Sequence, residues 1–448
     1  MGRRKRKDYR QHLLRKKRVR IVLCVLAAAG ILGAGTAGVC HAWRLSREES
    51  AQEDILPVSG VAENGIAADS GGKESGVQDN CGTDTGMMDN GSVVQGGYRE
   101  LVSSSEPVTA AAAERKRPGV KVKGIYVTGP MAGNEAFDQL LELVDKTELN
   151  TMVIDVKNDS GEITWQMEQD TVRQIGASVR YIRDMEGFMS RLKEHDVYTI
   201  ARIVCFKDPY LAEYAPELAL KKPDGKAVMD GNGLAWVNPY QQAVWEYLVE
   251  VAKAAADIGF DEIQFDYVRF PIGKDADAAD YGVDMETYPK QKAITGFLTY
   301  AVQELHERGV LVTADVFGTI IGSETDVRQV GQDYVELSSV IDVLSPMVYP
   351  SHYGNHVFGL DVPDAWPYET VLAALTDSGE ELQSVPEDNR AVVRPWLQAF
   401  TASWVEGYIS YGGEQIRRQI QAVYDAGYEE WILWNAANRY TEDGLLKE

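Results

Sequence analysis

The sequence predicts an α/β fold, a (β/α)8 TIM barrel preceded by a single transmembrane helix and a disordered stalk. Three observations carry this expectation. From Lys121 onward, short β-rich runs alternate with longer amphipathic runs. Near the N-terminus lies an uncharged apolar run of spanning length. Polar and aromatic residues recur where the β-rich runs end, which is where a parallel barrel keeps its functional groups.

The N-terminal part divides by charge and hydropathy. Residues 1–20 hold eleven Lys and Arg against one acid, Asp8, so the segment is +10 within a chain of net charge −23 and the remainder is −33. An acidic body does not suit a polyphosphate backbone, so no nucleic-acid partner is expected. Residues 21–43 carry no charge and are long enough to cross a hydrocarbon core of ~30 Å. The basic block before them predicts a single-pass cell-membrane anchor with a cytoplasmic N-terminus and an extracytoplasmic body. The run is longer than the apolar core of a cleaved signal, and Ala37-Gly38-Val39 before Cys40 lacks the Leu of a lipoprotein signal, which favours an uncleaved anchor. Residues 44–117 are rich in Gly, Ser, Asp, Glu and Ala and read as a disordered linker, unable to bury enough apolar surface to offset its ordering entropy. Residues 118–448 form the expected barrel domain.

Eight candidate strands follow, over 122–128, 151–157, 198–206, 262–270, 311–317, 341–349, 391–400 and 430–435. Several are apolar almost throughout, as strands covered on both faces should be. Between them, period-3.6 stripes predict helices over 137–146, 179–195, 241–258, 295–308 and 414–426. An open doubly wound sheet is the competing arrangement. It usually carries a glycine-rich phosphate turn after its first strand, whereas here that strand ends Thr128-Gly129-Pro130.

In a barrel the chemistry sits at the C-terminal strand ends, so polar residues there are the candidates. Strand 4 ends with Asp266 and then Arg269 and Pro271, and strand 5 carries Asp315 before Gly318. Two carboxyl groups on neighbouring strands are the residue types that glycosidic cleavage needs, one as acid and one as nucleophile or base. Arg202 or Arg269 could keep one of them ionised. Asp155, Tyr349, His352, Trp396, Gln398, Trp434 and Asn435 complete a set suited to sugar faces and hydroxyls. A plainer reading makes Asp155 part of an internal pair with Lys157 or Arg202. Asp261 and Glu262, before strand 4, read as solvated, and Trp165, Trp236 and Trp366 as packing. No cofactor is expected. The acidic loop 274–284 lacks the glycine and terminal Glu of a calcium loop, and His352 and His356 form no zinc motif, so no metal ligands are assigned.

The run Phe265-Asp266-Tyr267-Val268-Arg269-Phe270-Pro271, with Lys123-Gly124-Ile125-Tyr126 before it and Leu344-Ser345-Pro346-Met347-Val348-Tyr349-Pro350 after it, resembles the bacterial "putative glycoside hydrolase" domain family, formerly a domain of unknown function. The resemblance covers Lys121 to the C-terminus. It implies a TIM barrel distantly similar to α-amylase-like barrels, in which a strand-4 Asp is the nucleophile, here Asp266. The acid of that pattern is a strand-5 Glu. This chain has Asp315 there, with Glu324 in the following loop as the other candidate. The expected function is a cell-surface glycoside hydrolase acting on an oligosaccharide or polysaccharide. The alternative is a non-catalytic carbohydrate-binding or wall-organising barrel on the same scaffold.

Overall fold

The computed structural model describes residues 119–447. The basic tip, the apolar run and the linker lie outside the described residues; among those described, no helix is long and apolar enough to cross a membrane. The strands are β1 (Lys123–Val127), β2 (Thr151–Lys157), β3 (Tyr198–Val204), β4 (Glu262–Asp266), β5 (Leu311–Phe317), β6 (Val343–Met347), β7 (Val392–Val393), β8 (Trp396–Gln398) and β9 (Trp431–Trp434). All pair in parallel in the order β5-β4-β3-β2-β1-β9-β8-β6-β7, and β5 also pairs with β6, which closes the sheet into a barrel.

The barrel has eight staves because β7 and β8 are one interrupted strand, both paired to β6. The sequence predicts this stave as continuous over 391–400, and Pro395 is the reason it is not: it has no N–H for the ladder. The path nevertheless continues, since Arg394 N donates to Leu344 O and Ile432 N donates to Pro395 O. A second difference lies at the site. The sequence predicts that strand 4 runs to Phe270, but it stops at Asp266 because Tyr267 turns into the left-handed region, φ 49°.

Helices α1 (Phe137–Lys146), α2 (Met185–Glu194), α3 (Gln242–Ile258), α4 (Lys290–His306), α5 (Tyr334–Ser338), α6 (Pro367–Glu381) and α7 (Gly413–Asp425) wrap the outside. α2 starts later than the apolar stripe suggests because Asp184 caps it, accepting from Gly187 N at 2.9 Å. α6 shows no clear stripe in the sequence because its buried face includes Thr370 and Ser378. Ser378 meets Tyr334 and Tyr428 at 2.8 and 3.1 Å, so its hydroxyl is satisfied there.

Strand parity sorts the core into two clusters. Outward residues such as Met152, Ile154, Ala201, Ile203, Ile263 and Phe265 pack under the helices. Inward residues Val122, Tyr126, Val153, Ile200, Trp396 and Ile432 fill the barrel. The foot of the barrel is closed by charge: Arg394 donates to Glu262 Oε1 at 2.6 Å and to Glu430 Oε2 at 2.8 Å, and Tyr198 donates to Glu262 at 3.1 Å. Glu262 is fully buried, which corrects the expectation that it is solvated. Asp261 is exposed, as expected, and also accepts from Thr199 N at 2.9 Å and Oγ1 at 2.8 Å.

Candidate active site

The inward residues of β4 are Glu262, Gln264 and Asp266, an all-polar row whose alternate positions, Ile263 and Phe265, are apolar and face the helices. This period of two lifts the polar row from the plug at the foot to the open end. At that end Arg202 gathers three carboxylates. Its Nε and Nη2 donate to Asp266 Oδ2 at 2.8 and 2.6 Å. Its Nη1 donates to Asp155 Oδ1 at 2.7 Å and its Nη2 to Asp159 Oδ1 at 2.8 Å. Tyr126 donates its hydroxyl to the other oxygen of Asp155 at 2.7 Å. Burial pushes the Asp155 carboxyl up to about 6 despite Arg202, and the neighbouring Asp159 adds to the rise.

Asp266 has a second donor. The turn at Tyr267 brings that residue's own N–H to Asp266 Oδ1 at 2.6 Å. One carboxylate oxygen therefore faces a guanidinium and the other an amide, and the Asp266 side chain keeps 12% of its surface open.

Asp315 sits deeper and next door. The β4–β5 ladder pairs Phe265 with Ala314, so the following residues of the two strands, Asp266 and Asp315, stand side by side. Asp315 Oδ1 accepts from Trp396 Nε1 at 2.7 Å and from Gln264 Nε2, while its buried Oδ2 has no hydrogen-bond partner among the described residues. Burial and then the charge of Asp266 push its carboxyl well above the usual range, against the pull of these donors and Arg202. A buried, unpartnered acceptor is costly, and a proton on Oδ2 turns it into a donor.

Aromatic rings surround this pair. Tyr126 stacks on Trp434 (6.1 Å, 15°), Tyr349 meets Trp434 at 5.9 Å, and Arg202 lies 5.4 Å from the Tyr126 ring. His352 packs edge-on against Tyr349 at 4.9 Å. Burial pushes its imidazole down to about 3, so it is neutral at ordinary pH.

The remaining expected residues stand differently. Arg269 lies in an aromatic box, 5.0 Å from Trp236, 5.2 Å from Tyr267 and 4.6 Å from Phe317, and supports the Tyr267 turn. Gln398 uses its amide on Asp364 and Phe400 O and accepts from Ser351 N. Asn435 donates to Ala399 O and Arg439 O and accepts from Ala437 N. Both fasten loops. Glu324 is a surface residue paired with Arg328, its side chain 91% exposed, and is not gathered with Asp266. Lys157 pairs with Asp208 at 3.1 Å, not with Asp155. Trp236 is buried, but Trp366, expected as packing, is exposed. Tyr126, Asp159 and Gln264 join the site without being among the residues expected there. Tyr126 and Gln264 are inward by parity, Tyr126 four residues from Val122 and Gln264 two from Asp266, and that signal could have found them.

Residues 124–440 match the model of a family described as "putative glycosyl hydrolase domain". The chain belongs to this family. Within the putative glycosyl hydrolase family's barrel, the matched span runs from the second residue of β1 to beyond β9 and takes in every residue of the Arg202 cluster. Among solved structures, the glycoside hydrolase domain of PgaB (BpsB) from Bordetella bronchiseptica is 14% identical, with 72% of this chain and 95% of that one covered at a TM-score of 0.50. That likeness shows the fold. A hypothetical protein from Ruminiclostridium thermocellum is 36% identical, with 43% of this chain and 97% of that one covered at a TM-score of 0.40. No match was found among curated proteins.

Proposed function

We propose that this protein is a glycoside hydrolase acting on an oligosaccharide or polysaccharide, with Asp266 and Asp315 as its working carboxyls. The observation that carries the reading is the contrast between two neighbouring carboxyls. Asp266 accepts from a guanidinium and an amide, an arrangement made for a carboxylate ion. Asp315 is buried beside it with an unpartnered oxygen, and burial with the neighbouring Asp266 pushes its carboxyl upward, toward the protonated form an acid needs. A buried carboxyl pushed upward beside one that accepts from a guanidinium and an amide is the pairing expected of an acid and its partner. Asp266 acts as the nucleophile or ion-pairing carboxylate under the anomeric carbon, and Asp315 gives its proton to the leaving oxygen. Trp434, half-buried and backed by the buried Tyr126 and Tyr349 rings, supplies the apolar surface against a sugar face. Membership of the family supports the same reading.

The charge step at residue 21 and the apolar run behind it support a cell-membrane anchor with the barrel outside, where a polysaccharide would be met.

The test uses one glycan and its aryl glycoside with an activated leaving group, which needs no acid. Asp266→Asn loses both activities. Asp315→Asn loses the glycan but keeps much of the activated substrate. An Asp315→Asn enzyme that keeps full glycan turnover removes Asp315 from the role. A parent that binds glycan and cleaves nothing supports the non-catalytic barrel instead.

A further inference from the structure

The aromatic wall does not end at the barrel mouth. Trp434 meets Phe400 edge-on at 5.3 Å, and Phe400 lies nearly parallel to Trp404 at 5.8 Å and 13°. Trp434 and Phe400 are half-buried, and Trp404 is 45% exposed. A continuous chain of rings therefore leads from the Tyr126 and Tyr349 contacts near Arg202 out to solvent.

The loop that carries Trp404 is built rather than loose. Buried Asp364, from the loop after β6, accepts from Gln398 Nε2 at 2.9 Å and from Ile409 N at 3.3 Å. The Tyr411 hydroxyl donates to the Asp364 carbonyl at 2.9 Å. Gly407 has φ 85°, and a Cβ there would meet Val362 at 3.0 Å, so the two loops are pressed together. Three of the seven exposed large apolar side chains among the described residues, Trp366, Trp404 and Tyr408, sit on this tied pair of loops. Exposing a Trp costs apolar hydration, and fixing its loop in advance lowers the entropy cost of binding to it.

We propose that Phe400 and Trp404 form an outer sugar-binding subsite, and that the ligand is a polymeric glycan running from the Asp266 end of the barrel outward over the loop after β8. The inference rests on the carbohydrate reading above and adds chain length to it. A pyranose presents a flat apolar C–H face, and the exposed Trp404 ring, continuous with Trp434, is the matching surface. Sugars held there lie beyond the bond being cleaved, and binding energy from such remote units is what a glycosidase spends at the reacting centre.

The full chain is run in native gels containing soluble starch, galactomannan or glycol chitin, as the parent, Trp404→Ala and Trp366→Ala. The parent is retarded by at least one polymer. Trp404→Ala weakens that retardation by about five- to tenfold in apparent affinity, the order of one aromatic stacking contact. Trp366→Ala, which removes an equally exposed ring outside the Trp434–Phe400–Trp404 chain, migrates as the parent does. Both variants keep the parent's melting temperature. Retardation of the parent by none of the polymers, or equal retardation of parent and Trp404→Ala, overturns the subsite. The hydrolase reading fails separately: a parent that is retarded but cleaves no polymer leaves the subsite standing without the chemistry.

Discussion

Arg202 grips Asp266 through two nitrogens on a single oxygen, Nε at 2.8 Å and Nη2 at 2.6 Å, which leaves the other carboxylate oxygen to the backbone. The same guanidinium holds Asp155 and Asp159, so one cation balances three acids. Removing it leaves buried negative charges facing one another. Arg202→Met is expected to cost about 3–5 kcal/mol of stability, the scale for breaking a buried ion pair, and to abolish glycan turnover in the molecules that still fold. Arg202→Lys keeps the charge but not the fork, so it recovers stability better than activity. Urea unfolding and turnover per folded molecule separate the two effects. Equal recovery of both by Lys would show that charge alone matters.

Tyr267 is bent on behalf of Asp266. A non-glycine residue at φ 49° is strained by about 1–2 kcal/mol, and the bend is what points its N–H at Asp266 Oδ1. Its ring is gripped by Lys207 at 4.7 Å and Arg269 at 5.2 Å, which holds the strained turn in place. Asn tolerates this conformation and a β-branched residue does not. Tyr267→Asn should therefore keep more activity and a higher melting temperature than Tyr267→Val, although Val is the more apolar. The reverse order would remove the backbone from the account.

The fold was legible because burial on both strand faces and one face of each helix leaves strong periodic traces; β2, β5 and α1 lie within the spans that the pattern marks out. Asp266, Asp315 and Arg202 were legible because a charge inside an apolar strand needs a partner. Gln264 and Glu262 share the parity of Asp266, so the same rule applied along the whole strand reaches them. Asp159 lies past the end of β2, where no period extends. Gln398 and Asn435 mark the limit: a polar side chain at a strand exit looks the same in sequence whether it meets a ligand or, as here, a loop carbonyl. The apolar run at 21–43 lies outside the described residues.

The plug at the barrel foot makes a contrasting case. Arg394 and Glu262 are both fully buried, and Glu430 nearly so. Arg394→Met strands two carboxylates and should destabilise by about 3–5 kcal/mol. Adding Glu262→Gln and Glu430→Gln to that change removes the stranded charges and should return much of the loss. Turnover per folded molecule should stay near the parent's in the triple variant, because the plug lies at the opposite end of β4 from Asp266. Denaturant titration beside an active-site count checks both statements.

Asp155 links the site to pH. Its carboxyl is pushed up to about 6 in the folded protein, by burial first and against the pull of Arg202, while an unfolded Asp titrates near ~3.9. The folded state thus binds a proton more tightly than the unfolded chain. The contribution is fully present below the unfolded value and is lost as pH rises through 6. Asp155→Asn keeps a neutral side chain of the same shape at every pH and escapes that loss. Relative to the parent, the variant should gain stability between pH 4 and pH 8, by about 1–3 kcal/mol, since each tenfold change in proton affinity is worth about 1.4 kcal/mol. Melting temperatures of both proteins across that range provide the check. A difference that stays flat would show that Asp155 is charged throughout, and that Arg202 outweighs the burial of its partner.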